Sequence, residues 1–219
     1  MLTVVGPKDK VPAGAEVLNT TSRSQDWGRA FSPFLLGPCK LYSDFVSQNV
    51  ENGWQYSKVY PEHAGSSRIV TDEYWKWATQ GWANPRAVRY PMGKGAKPLY
   101  SLWNGIRMDY IMARKFIYIP LYSNSVMGTD AFWWLSEIEK DRDIYLWDFD
   151  GYNHRALGMT YEDVINNPNR TMGHAFIIAM LIHGSFDITH GPFWSFHYKQ
   201  KEKQYYDSTN PMVRRWLHY

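Results

Sequence analysis

A single cysteine, Cys39, serves the whole 219-residue chain. That scarcity excludes an internal disulfide and any cysteine-based metal cluster, and it fits a reducing compartment. Long apolar runs are also missing. The longest, Ala175 to Ile182, is far shorter than a membrane span. The opening residues, MLTVVGPKDK, are broken at Gly6-Pro7 before a signal-peptide core can form. These absences lead to the expectation of a soluble, cytoplasmic protein (host cytoplasm if the source is viral), with no membrane and no obligate protein partner. Charge of one sign is in short supply too. Lys and Arg number 24 against 21 Asp and Glu, a net charge of +3 that is far below what electrostatic attachment to DNA alone requires. There is no internal repeat, no low-complexity segment, no His-x-x-x-His helix and no acidic calcium loop. The 7 histidines are scattered, and no metal or other cofactor is expected.

What the chain has in surplus is aromatic side chains, 17% of residues with 11 Trp and 16 Tyr. So many rings overfill a core of this size, which leaves some near the surface, where they can stack on bases or sugars as well as fill space. The 44% hydrophobic and 21% charged fractions are those of an ordinary globular domain.

Short strands are expected at Leu2 to Val5 and Ala15 to Asn19, with glycine- and proline-containing turns between them. Helices are expected over Ser47 to Tyr60, Asp72 to Trp82, Leu99 to about Tyr118, and Thr129 to Lys140. In the third of these Leu102, Ile106, Tyr110, Ala113 and Ile117 recur at helical spacing as a buried side. Asn84 to Pro98 reads as a loop, and Asp141 to Tyr152 as a strand or extended loop. Asn169 is expected to cap a last helix, apolar on every side, that Gly184 ends. The fold class that follows is mainly α: a compact single helical domain with a few short strands over 1–185. An aromatic and basic C-terminal extension follows over 186–219.

The stretch from Phe31 to Tyr60 carries the densest chemistry. On one helix, Glu51, Trp54, Gln55 and Lys58 fall on a single face. A carboxylate, a ring, an amide and an ammonium in one strip suit an anionic, ribose-bearing ligand. A glutamate that merely starts a helix, and a solvated lysine, explain the same residues without function. Cys39 has no histidine nearby in sequence to make it a nucleophile.

Four separated pieces resemble the NADAR superfamily. Phe31-Ser32-Pro33-Phe34 is similar to that family's F-S-N-F loop, and Glu51-Asn52-Gly53-Trp54-Gln55-Tyr56-Ser57-Lys58 to its E-H-x-[FY]-Q-x-x-K helix. Lys97-Pro98-Leu99 followed by Trp103 and Arg107 resembles its K-P-L-x-x-x-W-x-x-x-[KR] segment. Asn169-Arg170-x-x-Gly173 before an apolar helix resembles its closing N-R-x-G helix. Trp147-Asp148-Phe149-Asp150-Gly151 stands where the family has a W-G-D-G-like loop. Asn52 replaces the family histidine and Pro33 the loop asparagine.

The resemblance implies a mostly α-helical N-glycosidase that removes ADP-ribose from modified guanine bases in DNA, reversing the work of an ADP-ribosylating toxin in a bacterium or its phage. A small phosphorylated ribosylamine or nucleotide metabolite is an alternative substrate, and a non-catalytic ADP-ribose or nucleic-acid binding module is the reading from another class. Glu51 is then the catalytic carboxylate facing a cationic C1′, held ionised by its helix dipole. Phe31, Phe34 and Trp54 are expected to stack on a base, with Ser32 binding substrate in the same loop as the two Phe rings, Gln55 holding a ribose hydroxyl and Lys58 a phosphate or ribose hydroxyl. Trp103 is expected as a pocket wall, with Trp147, Asp148 and Asp150 adding the second-carboxylate loop. Asn169 and Arg170 are expected to meet a diphosphate at a helix N-terminus.

Overall fold

A computed structural model describes residues 1–185 of the chain. The extension expected over 186–219 lies outside the described residues. Those described are 38% helical and 15% strand, with several sheets, so the molecule has a mixed α/β fold and the expectation of a mainly α domain is overturned.

Strand β1 (Leu2–Val5) and strand β2 (Glu16–Asn19) form as expected, but their partner is distant in sequence. Strand β8 (Ile144–Trp147) lies between them and is parallel to both, with Ile144 opposite Leu2 on one side and Glu16 on the other. Successive side chains of a strand point to opposite faces. On one face Ile144 and Leu146 are buried, as are Leu2, Val4 and Leu18 in the neighbouring strands, while Tyr145 and Trp147 on the other face are half-buried.

A ribbon of β3 (Cys39–Lys40) and β4 (Val46–Ser47) precedes helix α1 (Val50–Gln55). This helix stops at Gln55, well short of the expected Tyr60, because the chain turns into strand β5 (Lys58–Val59). Helix α2 (Asp72–Ala83) matches its expected span. The largest departure follows. Leu99 to Tyr118 does not begin as a helix: β6 (Tyr100–Trp103) and β7 (Ile106–Met108) make a hairpin that pairs with β5. The turn between them is Asn104-Gly105, both at positive φ (48° and 79°). That is the geometry of the two-residue hairpin turn that Asn-Gly favours.

Only after the hairpin does a helical run begin, with α3 (Tyr110–Ala113), a π-helical turn over Arg114–Tyr118, and α4 (Ile119–Val126). Asp109 caps it by accepting the Met112 N–H at 2.8 Å. Helix α5 (Asp130–Ile138) is capped by Thr129, which accepts from the Phe132 N–H. Helix α6 (Tyr161–Asn166) carries a reciprocal capping box between Thr160 and Asp163.

Helix α7 (His174–Ile182) has its first seven residues buried and packs against α4 and β1 in the main core. It starts at Gly173 rather than at Asn169, and Gly184 follows its end at a φ of 63°. Among the described residues no helix is long and apolar enough to cross a membrane.

Candidate functional site

A cavity of about 410 Å³ opens where α1, the end of β8, the start of α7 and the π turn converge. Three carboxylates line it, Glu51, Asp148 and Asp150, together with Arg23, Lys58, Arg89 and Arg114. Phe34, Trp54, Tyr90, Tyr110, Tyr118 and Phe149 supply rings.

The placement of Glu51 begins with local backbone chemistry. Asn49 is the N-cap of α1 and its side chain accepts from Asn52 N–H at 2.8 Å. The Glu51 N–H donates to Pro33 O at 3.0 Å, so the Phe31-to-Phe34 loop is bonded to the helix that carries the acid. Phe31 itself is core: it is fully buried, and its carbonyl accepts the Tyr122 hydroxyl at 2.7 Å. Ser32, Pro33 and Phe34 reach the cavity instead.

Glu51 is 5% exposed. Gln55 Nε2 donates to Glu51 Oε1 at 2.9 Å, and Lys58 Nζ donates to Gln55 Oε1 at 2.6 Å. The amide thus bridges acid and base, and its two neighbours fix which end is oxygen. Lys58 sits on β5 rather than on the helix, yet its ammonium returns to lie 4.7 Å from the centre of the Trp54 ring. The four residues of the expected strip do meet, with the bridge taking both ends of Gln55.

Burial dominates the electrostatics of this chain of groups. It pushes the Glu51 carboxyl above its ordinary value, and the Gln55 hydrogen bond and the charges of Lys58, Arg89 and His174 offset only part of that. This opposes the dipole-held ionisation expected from the sequence, because loss of water outweighs the first-turn dipole. Burial also lowers the Lys58 ammonium to about 8, with Glu51 pulling upward and Arg89 downward. An acid moved up and a base moved down approach the neutral range in which protons are exchanged readily.

Asp148 follows β8 and reaches the N-terminus of α7. Its Oδ2 accepts Ala175 N–H at 3.2 Å and lies 3.1 Å from His174 Nδ1. His174 Nε2 lies 2.8 Å from Thr20 O. A carbonyl only accepts, so Nε2 carries hydrogen, and the Asp148–His174 contact shares a proton whichever atom holds it. A Cβ on Gly173 would stand 2.0 Å from Asp148 Oδ2, so only glycine admits the carboxylate here. Asp148 caps a helix that has no cap of its own.

Asp150 pairs with Arg89, Oδ2 to Nη2 at 2.8 Å, and both are partly exposed. Arg23 stacks on Phe149 with its guanidinium carbon 5.3 Å from the ring centre. Arg114 is 2% exposed, yet among the described residues no carboxylate pairs with it. It donates to the carbonyls of Val164, Ile165, Asn167 and Arg170 at 2.8–3.0 Å, tying down the end of α6 and the strand of loop beyond it.

Besides Phe31, four expected residues do not line the cavity. Trp103 packs edge-on to Tyr42 at 4.8 Å, and Trp147 edge-on to Phe149 at 4.9 Å. Asn169 and Arg170 are exposed on the loop before α7, with Arg170 over the Tyr152 ring at 4.9 Å. Sequence reasoning missed Arg89, Tyr90, Arg114, Tyr118 and His174. Tyr110, expected on a buried side, is 43% exposed at the cavity. Cys39 is buried, and burial lifts its thiol to about 11 despite a weak contact with Ser47 O. Among the described residues no three His, Cys, Asp or Glu side chains are gathered as metal ligands.

No family model, curated protein or solved structure matches the chain.

Proposed function

We propose that the protein is an N-glycosidase that removes ADP-ribose from modified guanine bases in DNA, with Glu51 as the catalytic carboxylate. The observation that carries this reading is the buried Glu51–Gln55–Lys58 chain on the wall of a 410 Å³ cavity rich in rings and cations. The residues that resemble NADAR motifs at positions 51, 55 and 58 are the ones in that chain.

Cleavage of an N-ribosyl bond builds positive charge at C1′ as the base departs. A desolvated carboxylate beside that carbon stabilises the charge more in the transition state than in the ground state. Water then bonds to C1′, the C1′–N electron pair goes to the base, and one proton passes from water to the base. Glu51 takes the proton from water, and Lys58, at about 8, is an acid strong enough to supply one to the leaving nitrogen. Rings on the cavity wall offer faces for the base.

A second reading, cleavage of a small phosphorylated ribosylamine, is favoured by the cavity volume. About 410 Å³ holds one small ligand without any extended strand. Incubation of ADP-ribosylated oligonucleotide, ADP-ribose nucleotides and phosphorylated ribosylamines with wild type and Glu51→Gln separates the readings. Product from the oligonucleotide supports the first, product from small nucleotides alone the second, and binding without product makes the protein a reader. Glu51→Gln should lower turnover by about 100- to 1,000-fold, the loss typical of one strong electrostatic stabiliser. Wild-type turnover by that variant removes Glu51 from the mechanism.

A further inference from the structure

Two residues of the cavity wall, Arg89 and Tyr90, come from the loop joining α2 to β6. Residues 84–98 have neither helix nor strand, yet the first part of this loop is anchored from below. The fully buried side chain of Asn52, on α1, donates through Nδ2 to Asn84 O at 2.9 Å and to Arg86 O at 3.0 Å. Its Oδ1 accepts Val88 N–H at 2.8 Å. Asn49 adds a longer bond, Nδ2 to Pro85 O at 3.4 Å. Nearly the full hydrogen-bonding capacity of one amide is thus committed to residues 84–88. This commitment is made from the residue next to Glu51.

The loop delivers Arg89 and Tyr90 to the cavity wall immediately after the anchored stretch. Asp150 holds one nitrogen of Arg89, and the Tyr90 ring centre lies 5.5 Å from its guanidinium carbon. A guanidinium presents five N–H donors in a planar fork, so a carboxylate on one nitrogen orients the rest for a second oxyanion. The other cations at the cavity are differently engaged. Arg114 donates to four carbonyls, Lys58 to Gln55 while lying over the Trp54 ring, and Arg23 lies against Phe149.

We propose that Arg89 binds the phosphate or diphosphate of the ligand, and that Asn52 is the positioning residue that holds Arg89 over the cavity. This rests on the reading of the cavity as a ribosyl-ligand site, but it is tested by binding alone. Titration calorimetry on the full chain would use ADP-ribose, pyrophosphate and, as the uncharged comparison, adenosine. Arg89→Ala should weaken ADP-ribose and pyrophosphate about 10- to 100-fold, the range for hydrogen bonds to charged groups, and leave adenosine unchanged. Asn52→Ala should reproduce that selective loss, and the double variant should bind no more weakly than Arg89→Ala, since both act through one guanidinium.

Wild-type affinity for ADP-ribose in Arg89→Ala, or a selective loss in Arg23→Ala with none in Arg89→Ala, overturns the assignment while leaving the glycosidase reading intact. An equal loss of adenosine and ADP-ribose in Asn52→Ala overturns the positioning role. A wild-type protein that binds none of the three probes overturns both the assignment and the reading beneath it. Arg89 is partly exposed and its truncation leaves the core untouched, so that variant decides the matter even where Asn52→Ala fails to fold.

Discussion

Exchanging Glu51 for glutamine should make the protein more stable and less active at once. Glutamine has nearly the shape of glutamate, so an oxygen remains to accept the Gln55 Nε2 bond that now measures 2.9 Å. What changes is the charge. Burial is the largest influence on the Glu51 carboxyl and exceeds the combined pull of Gln55, Lys58, Arg89 and His174, so its folded pKa lies above the ordinary one. A carboxyl raised in this way is a liability to the folded state when ionised. The penalty is absent below the unfolded value of about 4.3, grows as pH climbs through the folded value, and is complete above it. Glutamine never incurs it. The exchange also removes an attraction on Lys58, but that attraction ranks below burial and reduces the gain without reversing it.

A single stabilising exchange commonly returns about 0.5–2 kcal/mol. In a chain of this size each kcal/mol moves Tm by about 2–4 °C. Glu51→Gln should therefore melt about 1–8 °C higher than wild type near pH 7.5, and the gap should close below about pH 4, where both side chains are neutral. Thermal melts across that range, run beside the turnover assay, provide the comparison. A variant that melts lower than wild type near pH 7.5, or a gap that persists unchanged into acid, refutes the burial argument.

Other perturbations have equally definite outcomes. Gly173→Ala drives a methyl into the pinned Asp148 carboxylate and should cost about 1–3 kcal/mol in urea unfolding, the range for overpacking. Arg114→Met strips the guanidinium from four carbonyl oxygens and should cost about 3–5 kcal/mol in the same measurement. Because burial lowers Lys58 to about 8, affinity for a phosphorylated ligand should be flat below pH 7 and decline as pH rises through 8. Lys58→Arg, which stays charged, should abolish that decline in calorimetric titrations at increasing pH.

Local signals were legible in the sequence and distant pairings were not. Helix α2, helix α5 and the all-round apolar α7 follow from hydrophobic pattern. The hairpin of β6 and β7 was misread although its signal was present. Leu102 and Ile106 fit a helical period, but Asn104-Gly105 between them is a turn that a helix cannot hold. The parallel sheet left no local trace, since β8 meets strands more than a hundred residues away. In the site, Glu51, Gln55 and Lys58 were within reach of pattern reasoning because they are close in sequence. Asp148 was visible as a carboxylate, but its capping of α7 exists only once β8 and α7 are brought together. Arg89 sits in a loop without periodicity, and nothing in the sequence indicates that Asn52 bonds to that loop.

The wide turn over Arg114–Tyr118 has a consequence for the cavity. Tyr110, Arg114 and Tyr118 all reach it from one helical run, at steps of four residues. Ordinary winding drifts by about 40° with each such step, which would carry the third residue far round the cylinder from the first. The looser i to i+5 winding takes back part of that drift and keeps the three in file. Deleting one residue between 114 and 118 would return the run to ordinary winding, and because four residues wound that way sweep nearly the angle of five in the wide turn, α4 would keep its place while the wall of the chamber lost a side chain beside its acid.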